Sequence, residues 1–321
     1  MPTMTPTMMP AMSPSPRVPP RPACTLRNLP AWVAVGLLWL LGKTPQWLAL
    51  ALTVPLAALL HIGMRRRCKI ARRNIERCFP ALAEAERDRL VRDSFRALAR
   101  AVFEIAWAWS ASDAFMRRLS RVEGLENLLA ARAGGRGVLL ITAHLSCLEI
   151  GARMMVLGLD PGLPVSGIYR PLRNPVLEWY QNRGRRYGAS MISKRDMRAA
   201  IRLLRSGGLV WYAPDQDFGR KQSVFVPFFG IQTATLLATH RLPLMTGCAV
   251  VPMFPVYDET ARRYTIKFLP ALELFPGADA TADLARVNAI MEQHIRSAPR
   301  QYWWIHRRFK TRPEGEEGFY A

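Results

Sequence analysis

Two ionisable side chains, His144 and Glu149, interrupt residues 138–157, VLLITAHLSCLEIGARMMVL, which are otherwise apolar apart from Arg153. Burying an unpaired imidazole or carboxylate costs several kcal/mol, so the two groups need a reason to be there. On one ideal helix, residues five apart point about 140° from each other. If His144 lies in a turn and Glu149 in the first turn of the next helix, the two can meet. A carboxylate bonded to one imidazole nitrogen makes the other a better base, so the pair predicts general base catalysis.

Structural explanations for the same residues stay open. Ser146 and Glu149 have the spacing of a helix capping box, in which the glutamate needs no catalytic role. His144 could be a hydrogen-bonded core residue. Cys147 suggests a cysteine–histidine nucleophile, but no second acid or oxyanion motif accompanies it, and buried cysteines commonly serve packing.

The elements that position His144 follow from alternating apolar and helical patterns. From Gly137 onward, short apolar runs predict strands: GVLLIT, LPVSGIYR, LVWYAPD, CAVVPMFPVY and RYTIKFLP. Helical segments lie between them: RNPVLEWYQNRGRRYG, RDMRAAIRLLRSGG and TATLLATHRLPLMTG. Residues 80–130 have apolar side chains at helical spacing. This succession predicts an α/β fold with a mixed sheet flanked by helices, and it places His144 at the carboxyl end of a strand.

The first 64 residues have a different character. Residues 1–25, rich in Met, Pro, Ser and Thr, predict a disordered tail. Residues 26–64 contain two apolar runs, about Leu29–Leu41 and Trp47–Ile62, and predict a membrane anchor region. Each run is shorter than the roughly 20 residues that span a bilayer. The alternatives are one tilted span, one span with an interfacial helix, and a buried hairpin of soluble helices.

Charge constrains the partners and the orientation. The chain has 45 Lys plus Arg against 24 Asp plus Glu, a net charge of +21, which indicates acidic partners. Seven cations lie between Arg65 and Arg77, against three before the apolar region, so the positive-inside rule places residues 65–321 in the cytoplasm. Five dispersed cysteines fit a reducing compartment.

Five motifs occur in a fixed order along the chain and together are highly specific. They are HLSCLE (144–149), YRPLRNP (169–175), YAPDQD (212–217), FVPFFG (225–230) and HRRFKTRP (306–313). From about Trp32 to Tyr320 the sequence resembles the late (secondary) acyltransferases of lipid A biosynthesis, the lauroyl/myristoyl transferase family.

The resemblance implies a specific reaction. Such enzymes move a fatty acyl chain from acyl carrier protein to a hydroxyl on an acyl chain of a Kdo-bearing lipid A precursor. Their fold resembles that of glycerolipid acyltransferases, and residues 65–321 would be the acyltransferase domain. His144 and Glu149 would be catalytic, without cofactor or metal. The expected partners are acyl carrier protein, the anionic precursor and lipids of the bacterial inner membrane, with the catalytic domain facing the cytoplasm, and not nucleic acid.

Arg170 and Arg173 are predicted to bind substrate, because guanidinium groups match phosphate or a developing oxyanion. A surface ion pair is the alternative. The resemblance favours Arg170 over Arg173.

Asp215 and Asp217 have two opposed interpretations. A D-x-D at a strand end is typical of a metal-dependent glycosyltransferase, whereas the resemblance makes Asp215 part of a substrate site without metal. Turn capping by the two acids is a third explanation. The neighbouring aromatic residues, which predict an apolar loop for acyl chains or membrane, favour the substrate site: Phe218, Phe225, Phe228 and Phe229.

Three rival functions remain. A related acyltransferase could use another glycolipid or glycerolipid acceptor. A glycosyltransferase would use Asp215 and Asp217. The third rival, not an enzyme, is a membrane-tethered nucleic-acid binder. The tail QYWWIHRRFKTRP mixes aromatic and basic residues, as such binders do, but no binding platform accompanies it.

Overall fold

The computed structural model describes residues 20–186 and 189–320. Its α-helices are α1 (Leu29–Leu41), α2 (Gln46–Gly63), α3 (Arg65–Cys78), α4 (Glu84–Ser110), α5 (Asp113–Leu119), α6 (Leu125–Ala131), α7 (Leu148–Leu157), α8 (Pro175–Gly184), α9 (Met197–Arg205), α10 (Ala238–Thr246) and α11 (Ala280–Ser297). Its strands are β1 (Ser120–Glu123), β2 (Val138–Ile141), β3 (Val165–Tyr169), β4 (Ala189–Ser193), β5 (Leu209–Tyr212), β6 (Ser223–Phe228), β7 (Ile231–Leu236), β8 (Ala249–Asp258) and β9 (Arg263–Phe268).

Seven strands form one mixed sheet in the order β1-β9-β8-β2-β5-β3-β4. β8 and β9 pair antiparallel, and the other neighbours pair parallel. All four residues of the central strand β2 are buried, as expected of a parallel strand with helices on both faces. The α/β class with a mixed sheet flanked by helices is confirmed. Because β2, β3, β4 and β5 are parallel, their carboxyl ends share one edge of the sheet.

The five predicted strands all form, as β2, β3, β5, β8 and β9. The sequence patterns missed two short strands of the sheet. β1 lies in the region predicted to be helical, and β4 is five residues long. The segment TATLLATHRLPLMTG begins inside β7 and becomes helical only at α10.

The predicted apolar loop around Phe225 is a β-hairpin, because β6 and β7 pair antiparallel. In the second half of β6 the side chains alternate between buried Val226, exposed Pro227 and buried Phe228. Phe228 and Phe229 lie in the hydrophobic core, so the prediction that they face acyl chains or membrane is wrong. Phe218 remains exposed.

The two predicted apolar runs are the helices α1 and α2. α2 lies along α4. The carbonyl oxygen of Thr44, two residues before α2, accepts a hydrogen bond from Trp107 Nε1, and His61 near the end of α2 contacts Phe95. The buried stripe of α2 recurs every four residues, as one face of a helix requires: Ala49, Thr53 and Ala57. The opposite face exposes large apolar side chains: Trp47, Val54, Leu59 and Ile62.

Of the described residues, those of α2 alone form a helix long and apolar enough to cross a membrane, and 17% of it is buried. In the predicted tail, residues 1–19 lie outside the described residues, and residues 20–25 form neither helix nor strand. The domain limits at 26–64 and 65–321 stay predictions.

Candidate active site

His144 lies in the turn between β2 and α7. Its carbonyl oxygen accepts a hydrogen bond from the Trp303 N–H at 3.0 Å, and its own N–H donates to Asp215 Oδ2 at 2.9 Å. The side chain is 25% exposed. The turn therefore fixes the backbone of His144 and leaves its imidazole accessible.

Asp215 reaches the same turn because of strand register. β2 and β5 are parallel neighbours with Ile141 opposite Tyr212, the last residue of each strand. His144 and Asp215 each follow three residues later, so they meet at the carboxyl edge of the sheet. His144 Nδ1 lies 2.5 Å from Asp215 Oδ1. The second ring nitrogen, Nε2, remains available to accept a proton.

Charge and burial fix the protonation state of Asp215, which is 1% exposed. Burial alone would raise the pKa of this carboxyl, but the charge of His144, hydrogen bonds from its ring and amide, and the charge of Arg308 lower the pKa to about 2. Burial and the nearby Asp215 raise the pKa of the Tyr302 phenol well above its usual value. At neutral pH Asp215 is thus an anion between the imidazole and a neutral phenol.

Glu149 does not orient His144. Its carboxylate accepts hydrogen bonds from Trp109 Nε1 at 2.6 Å and from Arg185 Nε and Nη2 at 2.7 and 2.6 Å. Burial would raise the pKa of Glu149, but Arg185 and the hydrogen bonds from Arg185 and Trp109 lower it. The expected imidazole partner is therefore corrected to Asp215, because the first turn of α7 directs Glu149 towards the Arg185 that follows α8.

The structure also contradicts the capping box and the cysteine nucleophile considered for this turn. α7 has Cys147 as its N-cap residue, without a side-chain cap, so Ser146 and Glu149 do not form a capping box. The Cys147 thiol is buried and bonds to the carbonyl oxygen of Pro255 at 3.3 Å. Burial raises the pKa of Cys147, which opposes a role as a thiolate nucleophile.

A mainly apolar cavity begins at the Glu149–Arg185 pair. It lies between α7 and strands β3, β4 and β5, and measures about 320 Å³ including the space at its mouth that is open to solvent. Its apolar lining residues are Ala152, Met155, Val156, Val165, Gly167, Met191 and Trp211. The cavity combines an ion pair at one end with walls suited to hydrocarbon.

The remaining predicted site residues differ in their surroundings. Arg170 and Arg173 follow β3 at the carboxyl edge and are exposed, and neither guanidinium makes a hydrogen bond or ion pair with the described residues. Asp217 binds Thr311 N and Oγ1 at 2.7 and 2.9 Å and the Gly219 N–H at 2.8 Å. Asp215 and Asp217 thus have separate protein partners and do not converge on one point.

Sequence reasoning missed Arg185 and Tyr302. Arg185 lies in a basic helical segment where nothing distinguishes it from Arg183 or Arg186. Tyr302 precedes the HRRFKTRP motif and reaches the site because Leu145 forms a β-bridge with Tyr302. The aromatic stretch QYWW was the available signal for this contact.

Comparison with known proteins identifies the family. The sequence model of the bacterial lipid A biosynthesis acyltransferase family matches residues 23–311. The chain belongs to this family. The resemblance deduced from the five motifs is thereby confirmed, and the protein is an acyltransferase of lipid A biosynthesis.

Curated members of the family align along most of their length. The lipid A biosynthesis lauroyltransferase of Escherichia coli (strain K12) is 39% identical over 286 residues, which cover 88% of this chain and 92% of the relative. The palmitoleoyltransferase of the same organism is also 39% identical, covering 90% and 94%. The myristoyltransferase is 31% identical, covering 89% and 88%.

Among solved structures, the 1-acyl-sn-glycerophosphate (LPA) acyltransferase of Thermotoga maritima aligns with 79% of this chain and 97% of its own. The sequence identity is 17% and the TM-score is 0.36.

Proposed function

We propose that this acyltransferase moves a fatty acyl chain from acyl carrier protein to a hydroxyl on an acyl chain of a Kdo-bearing lipid A precursor, with His144 as general base. The observation that carries the proposal is the His144–Asp215 pair, which holds Nδ1 and leaves Nε2 of an accessible imidazole at the sheet edge. Asp215 takes the orienting role first expected of Glu149.

The reaction needs one proton acceptor. His144 Nε2 removes the proton of the acceptor hydroxyl as its oxygen attacks the thioester carbonyl carbon. The new C–O bond forms, the C–S bond breaks, and the imidazolium returns the proton to the departing thiolate. Asp215 stabilises the imidazolium, and a base positioned in this way contributes on the order of 10²–10⁴-fold.

The cavity beside α7 is the proposed site of the transferred hydrocarbon chain. Its walls are mainly apolar, but the enclosed space is only about 20 Å³, so a hydrocarbon chain would enter only if the lining side chains move apart. The Glu149–Arg185 pair would form the polar mouth, and Met191, Gly167 and Trp211 would contact the chain. The exposed Arg170 and Arg173 are proposed to bind the anionic acceptor, with Arg170 the stronger candidate.

We further propose that α1 and α2 bind the bacterial inner membrane and that the sheet domain faces the cytoplasm. The exposed apolar face of α2 supports membrane contact, and exposed cations of α3, among them Arg65, Arg66 and Lys69, would lie near anionic headgroups. An anchor attached in this way would bring the site to its lipid acceptor.

Mass spectrometry of the lipid product tests the proposal. Purified protein is given acyl carrier proteins loaded with several chain lengths and a tetra-acylated Kdo-lipid A precursor. We expect one added acyl mass with the wild type and its loss in His144→Ala. An unmodified precursor with every donor would show that the acceptor is another glycolipid or a glycerolipid.

The chain provides a matched control for that variant. His240 Nδ1 pairs with Asp283 Oδ2 at 2.7 Å, in a second buried histidine–aspartate pair between α10 and α11. His240→Ala should keep its activity per folded molecule. Acyl transfer by His144→Ala at the wild-type rate would rule out the proposed base.

A further inference from the structure

Five cationic side chains form an exposed group at the carboxyl edge of the sheet: Lys194, Arg195, Arg198, Arg220 and Lys221. We propose that this group, the cationic rim, docks the acidic surface of the carrier protein that delivers the acyl thioester. The inference rests on the proposed function and adds to it the surface that recognises the donor.

Two loops bring the cationic rim together. Lys194 and Arg195 follow β4, and Arg198 lies in the first turn of α9, whereas Arg220 and Lys221 lie between β5 and β6. The Lys194 ammonium lies 5.7 Å from the centre of the Phe218 ring, which joins the two loops. The Lys194 N–H also bonds to the carbonyl oxygen of Tyr169, at the end of β3.

In the sequence, the proposed reaction site lies close to the cationic rim. Asp217 follows Asp215 by two residues and begins the segment that leads to Arg220 and Lys221. The Asp217 N–H points to His306 Nε2 at 3.4 Å, which ties the start of this segment to the tail motif. A partner bound on the rim would therefore deliver a flexible thioester arm to the same edge of the sheet.

The positive charge of the rim is not neutralised within the described residues. None of its five side chains forms an ion pair there, and all are exposed. The nearby acids have other contacts, since Asp196 caps α9 through the Ala199 N–H and Asp217 binds Thr311 and Gly219. The rim thus offers up to five unpaired positive charges to a partner.

Helix stability does not explain where these cations lie. Arg198 is the second residue of α9, and Lys194 and Arg195 lie just before the helix begins. The helix dipole is positive at this end, so a cation there is unfavourable. In contrast, Arg202 and Arg205 lie in the last turn of α9, where the dipole favours them. The placement of the rim fits an external anion better than an internal stabilising role.

An acidic protein fits the rim better than a membrane does. Membrane contact needs apolar side chains that insert, and these are concentrated on α1 and α2. In the two rim loops Phe218 is exposed, but its ring lies near the Lys194 ammonium. Charged surfaces of this kind steer an acidic protein partner and raise its association rate.

Kinetics with two donors test the inference. The double variant Arg195→Glu/Arg198→Glu is compared with the wild type, using acyl carrier protein thioester and the same acyl group on pantetheine. We expect about a tenfold or larger rise in KM for the carrier donor at low salt, shrinking in 0.5 M NaCl, because salt screens exposed charges. The kcat/KM for the pantetheine donor should change less than twofold.

A variant with the same charge change at other exposed sites is the control. Arg202→Glu/Arg241→Glu alters the far end of α9 and the surface of α10, and it should leave KM for the carrier donor unchanged. Equal losses of kcat/KM with both donors, or no loss with either donor, would contradict the proposed docking surface. Reduced binding to anionic vesicles with an unchanged carrier KM would assign the rim to the membrane. A wild type inactive with both donors would instead contradict the proposed function.

Discussion

His144 Nδ1 lies 2.5 Å from Asp215 Oδ1, while the other oxygen of the same carboxylate accepts the His144 backbone N–H at 2.9 Å. One buried aspartate therefore fixes both the ring and the backbone of the proposed base. Two adjacent parallel strands create this arrangement, and a carboxylate held by two donors cannot rotate freely.

Asp215→Asn should abolish most activity without unfolding the protein. The amide cannot stabilise an imidazolium, so we expect kcat to fall about 10²–10⁴-fold with a smaller change in KM. Steady-state assays of acyl transfer measure this loss. Because the pair acts as a unit, His144→Ala/Asp215→Asn should be no slower than His144→Ala alone. Asp283→Asn, in the second histidine–aspartate pair, is the control, and an equal loss of kcat there would contradict a specific role.

Arg185→Met should destabilise the fold. It leaves the Glu149 carboxylate largely buried without its cation, and removal of one partner from a buried ion pair typically costs about 3–5 kcal/mol. The free energy of unfolding, measured by denaturant titration, checks the value. Glu149→Gln/Arg185→Met should recover part of the loss, since no unpaired charge remains. A single variant as stable as the wild type would show that solvent reaches the pair.

Gly167→Ala should shift the donor preference towards shorter chains. A methyl group there would lie 3.2 Å from Met191 Cε and 3.6 Å from Trp211 Cε3, so it would narrow the cavity. One methylene in an apolar pocket is worth about 1–3 kcal/mol, which predicts at least a tenfold drop in kcat/KM for the longest accepted donor. Competition among mixed acyl donors, read by mass spectrometry, measures the shift. Gly162→Ala, in an exposed loop, is the control. The same donor profile for the wild type and both variants would show that the cavity does not select the length of the acyl chain.

Leu59→Glu should weaken membrane binding without affecting the fold. Leu59 is 66% exposed on the apolar face of α2, and insertion of such a side chain contributes about 1.5–3 kcal/mol. Vesicle sedimentation should therefore show at least a tenfold loss of partitioning. Leu129→Glu, on α6, is equally conservative for the fold because Leu129 is 57% exposed, and it should bind vesicles normally. Equal binding by both variants would mean that α2 does not enter the lipid.

His294→Phe should make the protein less sensitive to acid. Burial and the charge of Lys267 lower the pKa of His294 from 6.5 to about 4, and its ring stacks on Phe254. The unfolded chain therefore binds a proton first as pH falls, so stability is lost between about pH 6.5 and pH 4. At about 1.4 kcal/mol per pKa unit, this group contributes up to about 3 kcal/mol of that loss. Unfolding titrations at pH 8 and pH 4.5 should give a smaller difference for the variant, and equal differences would exclude His294 as a source.

Local patterns were sufficient for the main elements. The continuous apolar run of β2 and the helical spacing of α7 placed His144 in the turn between them, and the two apolar runs became α1 and α2. The five motifs identified the family because each combines several residue types at fixed spacing. The spacing of apolar residues within one segment indicates whether that segment is a helix or a strand, because the two have different periods.

Only the tertiary structure decided which side chains His144 and Glu149 bind. Glu149 is five residues from His144 in sequence, yet the imidazole binds Asp215, which is 71 residues away. Strand register brought that aspartate to the turn, and the packing of both α7 and α8 against α4 brought Arg185 to Glu149. In the same way, the pairing of β6 with β7 turned an expected apolar loop into core. Contacts between distant segments depend on which strands become neighbours and in what register, and the spacing of residues along one segment does not contain that information.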